Sequence, residues 1–536
     1  MVLWQSLEQR CFEAAAGSGR YLSRANSILG PVQLSRLISW LVAHDRLSDI
    51  DSDQFEGAVQ GLLCNEIRAL DLELGNIASE FLVALADQCG PTLEFLKLGC
   101  SFKVFDNELS FLMNHLTSLS HLDIRELKIE TPSGVLSQLR SPRLERVFLQ
   151  LYIRDMQWNK IETLVEQNPT IRSLRISIRG RTLRNEDTLL VKIADNLAST
   201  LIELDMHNFS AEKGPLSYLL IACRNLKKIR LTGSMQFDVD TMIRVKQICQ
   251  WEVLELAFQV TPPRETYEAL QYLPRTIIDI SYKFGPSNRA MIVSSIRSLP
   301  SLKRIRYHTE FFNDALVLNL LSTLDSDVIQ RLEMLDIGLC DSLTDSGLDI
   351  VAELCPNLKE FYLHSDTVKY NRVATCAPLC RLFGRVLESG VQSNQLRVLY
   401  LNYFKVLSSD FLQIVAVECK GLEELYLASV RCVNDALLNI FASHCPKLGT
   451  VDVMNCWGVT DRGIIALAES LPLVNLNVGM CFKLTEACVY ILASNCPYLE
   501  RFIYHGVPQL KRSAAVGYLH RSCEKRLKTY WYQWFT

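Results

Sequence analysis

Gly421 to Leu427 reads G-L-E-E-L-Y-L, Lys447 to Val453 reads K-L-G-T-V-D-V, and Leu471 to Val478 repeats the same Leu-x-x-Leu-x-Val step. Each is followed by a polar loop, then by Asn434-Asp435, Thr460-Asp461 or Thr485-Glu486, then by an apolar helical stretch ending at Cys445-Pro446, Leu471-Pro472 or Cys496-Pro497. The period is about 26 residues.

The unit has a physical reading. Leu422, Leu425 and Leu427 alternate with polar residues, so a short strand puts the leucines on one face and Glu424 and Tyr426 on the other. Thr460 or Asp461 is placed to N-cap the next helix, on which Ile464, Leu467 and Leu471 share a face. Proline then stops the helix, because it lacks an N–H and disfavours a helical residue before it. One unit alone cannot bury its leucines, so neighbours must stack. A strand and a helix at this period define leucine-rich repeats, an α/β solenoid. Strand centres align at Leu70, Leu96, Leu122, Val147, Leu174, Leu204, Ile229, Leu254, Ile278, Ile305, Leu335, Phe361, Leu399, Leu425, Val451, Leu476 and Phe502. About seventeen repeats are therefore expected to form one continuous horseshoe, with a parallel concave sheet and convex helices.

Composition narrows the function. The chain has 536 residues, 49% of them apolar, a size that calls for several domains unless the core grows lengthwise, as in a solenoid. A formal net charge of −3 argues against nucleic acid as a partner. Nowhere do 18 uncharged apolar residues run together, and Met1 to Arg10 lacks the basic and apolar regions of a signal peptide, so no membrane partner is expected. Of 18 cysteines, Cys89, Cys223, Cys355, Cys419, Cys445 and Cys496 recur at the helix end, and Cys340, Cys456 and Cys481 recur after the strand. A residue repeated in register is there for packing, so these read as reduced core thiols. No C-x-x-C occurs, Cys376 and Cys380 lack nearby histidines, and no metal or other cofactor is expected. The chain also lacks G-x-G-x-x-G, H-E-x-x-H and G-x-S-x-G, so no catalytic residue is expected.

The N-terminal segment carries the partner signal. Ser6 to Ala15 reads S-L-E-Q-R-C-F-E-A-A, a narrow helical stripe of Leu7, Cys11 and Ala14 or Ala15. The pattern S-L-x-x-x-C-x-x-x-A resembles the Elongin BC-box, in which the leucine at the Leu7 position inserts into Elongin C and the cysteine at the Cys11 position packs beside it. Ser6, Leu7, Cys11 and Ala15 would then be the Elongin C contacts. After Gly17-Ser18-Gly19, Leu34, Leu37, Ile38 and Leu41 fall at helical spacing behind a helix-starting Pro31. This stretch is similar to the cullin-2 box, with Gly30 standing inside its usual leucine-proline pair; Leu29, Pro31, Leu34 and Leu37 would be the cullin contacts. The order of BC-box, cullin box and leucine-rich repeats resembles the Zyg/Zer receptors of cullin-2 ligases, without their armadillo repeats. The resemblance implies Elongin C, Elongin B and cullin-2 as partners, a protein substrate held by the repeats, and a cytoplasmic or nuclear location.

Other readings stay open. Two amphipathic helices would also cap the first repeat with no partner at all. Leu29 to Asp49 is F-box-like, and a free-standing scaffold that binds small GTPases or assembles complexes has the same repeats. The expected organisation is a helical adaptor-binding segment over residues 1–58, repeats over 59–510 and a C-terminal cap over 511–536, where Arg512, Arg521, Lys525, Trp531 and Trp534 make the tail basic and aromatic.

Side-chain alternation locates the substrate face. The residue between the second and third leucine-type positions is expected on the concave side, and in order it is Arg306, Asp336, Tyr362, Tyr400, Tyr426, Asp452 and Asn477. Three tyrosines on adjacent strands roughly 5 Å apart would make an aromatic ladder. His364, Asn402 and Tyr403 would flank it, and an insertion around Ser365 to Gln395 would overhang it. Such a row either fills a sheet face or binds substrate, with Tyr362, His364, Tyr400, Asn402, Tyr403 and Tyr426 as the contacts. His364 and His505 lie at strand exits and are expected to be exposed rather than to ligate a metal.

Overall fold

A computed structural model of the chain describes residues 22–43, 47, 50, 52–72, 79–99, 106–125, 132–152, 158–179, 187–284, 289–309, 313–338, 342–363, 377–379, 395–404, 407–510, 515–516, 519 and 528–530. They fall into two compact units, one within Glu8–Ile277 and the other within Ile278–Thr536. Both are leucine-rich-repeat folds in which a parallel sheet is backed by helices.

The first unit holds β1 (Ala69–Leu72), β2 (Phe95–Leu98), β3 (His121–Arg125), β4 (Arg146–Tyr152), β5 (Ser173–Arg179), β6 (Glu203–Ala211), β7 (Lys228–Met235) and β8 (Val253–Phe258). Each pairs in parallel with the next, and Leu70, Leu96, Leu122, Val147, Leu174, Leu204, Ile229 and Leu254 stand opposite one another throughout. All eight are buried, because every strand turns the same alternate positions toward its helix. The register slips once, between His207 and Phe209, where Asn208 takes a φ of +61°. Gly233 lies against this bulge with φ +150°, and a Cβ there would stand 1.9 Å from the Phe209 carbonyl oxygen.

Before β1 comes the helix Pro31–Ala43, opened by Pro31 as the sequence implies. Leu34, Leu37, Ile38, Leu41 and Val42 are its buried face, and Ser35 donates its hydroxyl proton to the Ala69 carbonyl of β1. The helix therefore closes the edge of the sheet. The helix Ser52–Leu62 packs so tightly on the preceding segment that a Cβ at Gly61 would stand 2.1 Å from the Leu22 carbonyl oxygen.

The second unit holds β9 (Asp279–Phe284), β10 (Arg304–Thr309), β11 (Met334–Gly338), β12 (Glu360–Leu363), β13 (Val398–Tyr400), β14 (Glu424–Tyr426), β15 (Thr450–Asp452), β16 (Asn475–Asn477), β17 (Arg501–Ile503) and β18 (Lys528–Tyr530), again parallel in sequence order. The expected strand centres from Ile305 to Phe502 stand in register. Ile278 does not: the residue opposite Ile305 is Ile280, and Ile278 is exposed. A further strand, β18, comes from the basic, aromatic tail and extends the sheet beyond β17.

Successive repeats of this unit are locked at their helix starts. Thr460 caps the helix Asp461–Ser470 by accepting from the Arg462 N–H, while its own N–H and hydroxyl both donate to Asp435 of the preceding helix, at 2.8 and 2.6 Å. Thr485 does the same to Asp461 at 2.8 and 2.5 Å, and Thr344 to Asp314 at 2.8 and 2.5 Å. Of the two caps the sequence allowed, threonine is the cap, and the aspartate holds the next repeat. The twelve described cysteines are free thiols, ten of them buried. Cys445 and Cys496 fill helix ends, and burial pushes both thiols up to about 12.

Candidate functional site

The face of the second sheet turned away from the helices is built in rows, because a parallel register without slips keeps equivalent positions side by side. One row runs Arg306, Asp336, Tyr362, Tyr400, Tyr426, Asp452, Asn477, every neighbour paired. The three tyrosines form the expected ladder, with ring centroids 6.1 Å apart between Tyr362 and Tyr400 and 5.3 Å between Tyr400 and Tyr426, tilted by 34° and 36°. These are favourable offset geometries for aromatic pairs.

The row two residues upstream runs Arg304, Met334, Glu360, Val398, Glu424, Thr450, Asn475. It supplies the ladder's polar partners. Tyr362 donates to Glu360 at 3.3 Å and Tyr426 donates to Glu424 at 2.7 Å. Burial, reinforced by these carboxylates, pushes both phenols well above their ordinary range, and burial pushes Tyr400 up to about 12. All three phenols stay protonated, and Tyr362 and Tyr426 donate to the glutamates. At one end His308 bonds to Asp336 at 2.8 Å and lies over Gly338, where a Cβ would meet its ring at 2.6 Å. At the other end burial lifts Asp452 to about 6, although its Oδ1 accepts from the Met454 N–H at 2.9 Å. His505 is half-buried over Gly479 rather than exposed.

Asn402 is buried, and its Oδ1 accepts from the Ala428 N–H at 2.6 Å, so its amide serves the strand exit. Tyr403 is half-buried in a left-handed conformation, φ +69°. Ser6, Leu7, Cys11, Ala15 and His364 lie outside the described residues, as does most of the insertion that follows His364. Of the expected cullin contacts, Leu29 and Pro31 are half-buried, while Leu34 and Leu37 are 1% exposed each and belong to the core. The outward apolar residues there are Ile28 and Val32, 71% and 63% exposed, on either side of the extended Leu29 that separates the short helix Ala25–Ile28 from Pro31–Ala43.

Sequence reasoning put Glu424 on the same face as Tyr426 but did not name Glu360 and Glu424 as the ladder's hydrogen-bond partners. The signal was available: Glu-x-Tyr occurs on both β12 and β14, and alternation puts its two ends on one face. It also passed over a rim beyond the strands, where Trp457, Met480 and Phe482 are exposed. In the first unit the corresponding face carries Phe148 between Arg125 and Arg175, at 5.2 and 5.3 Å, and each arginine is paired with an aspartate, Asp123 and Asp205. Among the described residues no His/Cys/Asp/Glu group has the arrangement of a metal site, and no helix is long and apolar enough to cross a membrane.

Comparison with known proteins agrees with the repeat fold. F-box/LRR-repeat protein 4 of Bos taurus is 29% identical over 177 residues, 32% of this chain and 26% of that protein. DNA repair protein RAD7 of Saccharomyces cerevisiae is 26% identical over 280 residues, 46% of this chain and 48% of its own length. The Transport inhibitor response 1-like protein Os11g0515500 of Oryza sativa is 21% identical over 319 residues, 56% and 52% of the two chains. The chain thus spans about half or less of these curated relatives. A crystal structure of the Rad7 and Elc1 complex in yeast aligns over 98% of this chain and 95% of its own, with 13% identity and a TM-score of 0.35. No family model matches the chain.

Proposed function

We propose that the chain is the substrate-recognition subunit of a cullin-RING ubiquitin ligase, holding a protein on the open sheet face of its second unit while the N-terminal segment docks the ligase adaptor. The observation that carries this reading is the in-register ladder of Tyr362, Tyr400 and Tyr426, with centroids 6.1 and 5.3 Å apart on a helix-backed sheet. Tyrosine combines large contact area with a polar tip and is enriched in binding hot spots. The similarity to an F-box/LRR-repeat protein supports the coarser reading, a leucine-rich-repeat receptor of a ligase. In this role ubiquitin chemistry belongs to the partners, the chain contributes no catalytic residue, and it works in the cytoplasm or nucleus.

The finer reading is an Elongin-type adaptor. Ser6, Leu7, Cys11 and Ala15 would enter Elongin C, which brings Elongin B, and the segment from Leu29 would meet cullin-2, with Ile28 and Val32 as its outward apolar contacts. The F-box relative favours a second version, in which Leu29 to Asp49 docks a Skp-type adaptor. Co-purification separates the two. Elongin C recovered with the wild-type chain and lost with Leu7→Ser/Cys11→Phe supports the first; recovery of a Skp-type adaptor instead supports the second; recovery of neither overturns the ligase reading. Independently, Tyr400→Ala/Tyr426→Ala should abolish capture of the bound protein and leave adaptor recovery unchanged. Undiminished capture by that variant would place the substrate elsewhere.

A further inference from the structure

The motif Glu-x-Tyr is built twice on the open face, two strands apart, as Glu360-Phe361-Tyr362 on β12 and Glu424-Leu425-Tyr426 on β14. Both copies use the same internal bond, the phenol donating to the glutamate. The copies differ in what neutralises the carboxylate. Glu360 accepts two hydrogen bonds from the Arg304 guanidinium, at 2.7 and 2.8 Å. Arg304 stands two strands away on β10 and reaches across β11, where Met334 is buried. It therefore fills the first copy from within the chain, and Asp279 holds it from behind at 3.3 Å.

The second copy lacks this filling. The position two strands beyond Glu424 is Asn475, which is uncharged and donates to Thr450 at 3.0 Å. The next cation of the row, Arg501, is a further strand away, a span of roughly 14 Å from Glu424. Among the described residues no cation reaches Glu424. Its surroundings are nonetheless made for one. The Tyr400 and Tyr426 rings are half-buried side by side, Asp452 follows in the same row, and short Val398 separates the two glutamates. A ring whose phenol donates to a carboxylate is a better host for a cation, and a guanidinium or ammonium over it gains both the ring quadrupole and the charge.

We propose that the Glu424 copy is a seat for a basic side chain: an arginine or lysine on an extended segment of the bound protein stacks across Tyr400 and Tyr426 and pairs with Glu424, as Arg304 pairs with Glu360. The inference rests on the reading of this face as the protein-binding surface and names the chemistry of what it takes.

The test uses the full chain and a fluorescein-labelled glycine-serine peptide carrying three arginines, followed by fluorescence anisotropy. Its partner peptide carries citrulline at the same positions, which keeps the shape and removes the charge. The arginine peptide should bind at least about tenfold more tightly than the citrulline peptide, with an affinity that falls as salt rises. Glu424→Gln should weaken the arginine peptide about tenfold, whereas Glu423→Gln, the same charge change at a neighbour directed to Arg397, should leave it unchanged. Asn475→Arg should supply the missing arginine in cis and block the peptide. Thermal melts matching wild type certify that the variants fold. Equal binding of the two peptides, or wild-type binding by both Glu424→Gln and Asn475→Arg, overturns the proposal. Capture of a cellular protein that depends on Tyr400 and Tyr426 but not on Glu424 overturns the basic seat alone, and capture indifferent to the tyrosines overturns the face.

Discussion

Asp435→Ala probes what holds one repeat to the next. The carboxylate accepts from the Thr460 N–H at 2.8 Å, the Thr460 hydroxyl at 2.6 Å and the Gly463 N–H at 3.1 Å, all on the following helix. A hydrogen bond to a charged acceptor is worth about 1.5–3 kcal/mol net, and a half-buried N–H left without a partner adds its desolvation cost. The hydroxyl recovers most of its bond from water and keeps its cap on Arg462, so the three do not sum. The expected loss is about 2–4 kcal/mol. Asp435 also sits in the first turn of its own helix, where its charge adds about 0.3–1 kcal/mol. Asp435→Asn keeps an acceptor and removes the charge, and it should cost about 1 kcal/mol. Hydrogen exchange is the assay of choice, because a repeat array opens locally. The Thr460 and Gly463 amides should exchange about 30-fold faster or more in Asp435→Ala, with amides on β9 and β10 unaffected. Exchange at both within threefold of wild type would refute the interlock as a source of stability.

Two further perturbations test the sheet. Burial raises Asp452 from 3.8 to about 6 in the folded chain, so its contribution to stability is complete below about pH 4 and is lost as pH rises through about 6. Asp452→Asn, which keeps the acceptor for Met454, should flatten that part of the pH dependence and be more stable than wild type at pH 7 by about 1–3 kcal/mol; an equal change in unfolding free energy between pH 4.5 and 7 for the variant and wild type in denaturant titrations would contradict this. Gly233→Ala would force a Cβ to 1.9 Å from the Phe209 carbonyl oxygen at a φ of +150°, and it should cost about 3 kcal/mol or more. An unchanged denaturation midpoint would show that the bulge at Asn208 relaxes freely.

The strand positions were legible because period-2 alternation, repeated at a near-constant spacing, marks the same slot many times over. The exception has a clear cause. Ile277, Ile278 and Ile280 crowd one strand start, and the third leucine-type slot is taken by Tyr282 there and by Tyr307 one repeat later, both fully buried. With aromatics in a slot read as aliphatic, the frame slipped from Ile280 to Ile278, and only the pairing of Ile280 with Ile305 restores it. The tyrosine ladder was legible by the same rule that placed the leucines. Its partners were less so. The Arg304–Glu360 bridge joins residues 56 positions apart and crosses an intervening strand, so no periodicity within one repeat contains it.

The rim beyond the strands was the least legible part, and the reason is conformational. Tyr403, Ser429, Asn455, Met480 and Gly506 all have positive φ, from +57° to +72°, at one register of five successive repeats. Glycine is the residue that adopts this region without cost, and only the last of the five is glycine. The others are held there from both sides. The N–H groups of Tyr403, Ser429, Asn455 and Met480 each donate to the next repeat, at 2.7 Å, to Ala428, Met454, Gly479 and His505 respectively. The residues that follow the five, Phe404, Val430, Cys456, Cys481 and Val507, are fully buried. A side chain forced inward immediately after a left-handed turn sends the next one outward. That is where Trp457 and Phe482 stand, 70% and 48% exposed, with the Trp457 indole donating back to Asn455 at 2.8 Å. The cysteines that sequence reading assigned to packing are therefore the anchors that present this aromatic rim, and replacing Cys456 or Cys481 by a bulkier residue acts first on Trp457 and Phe482.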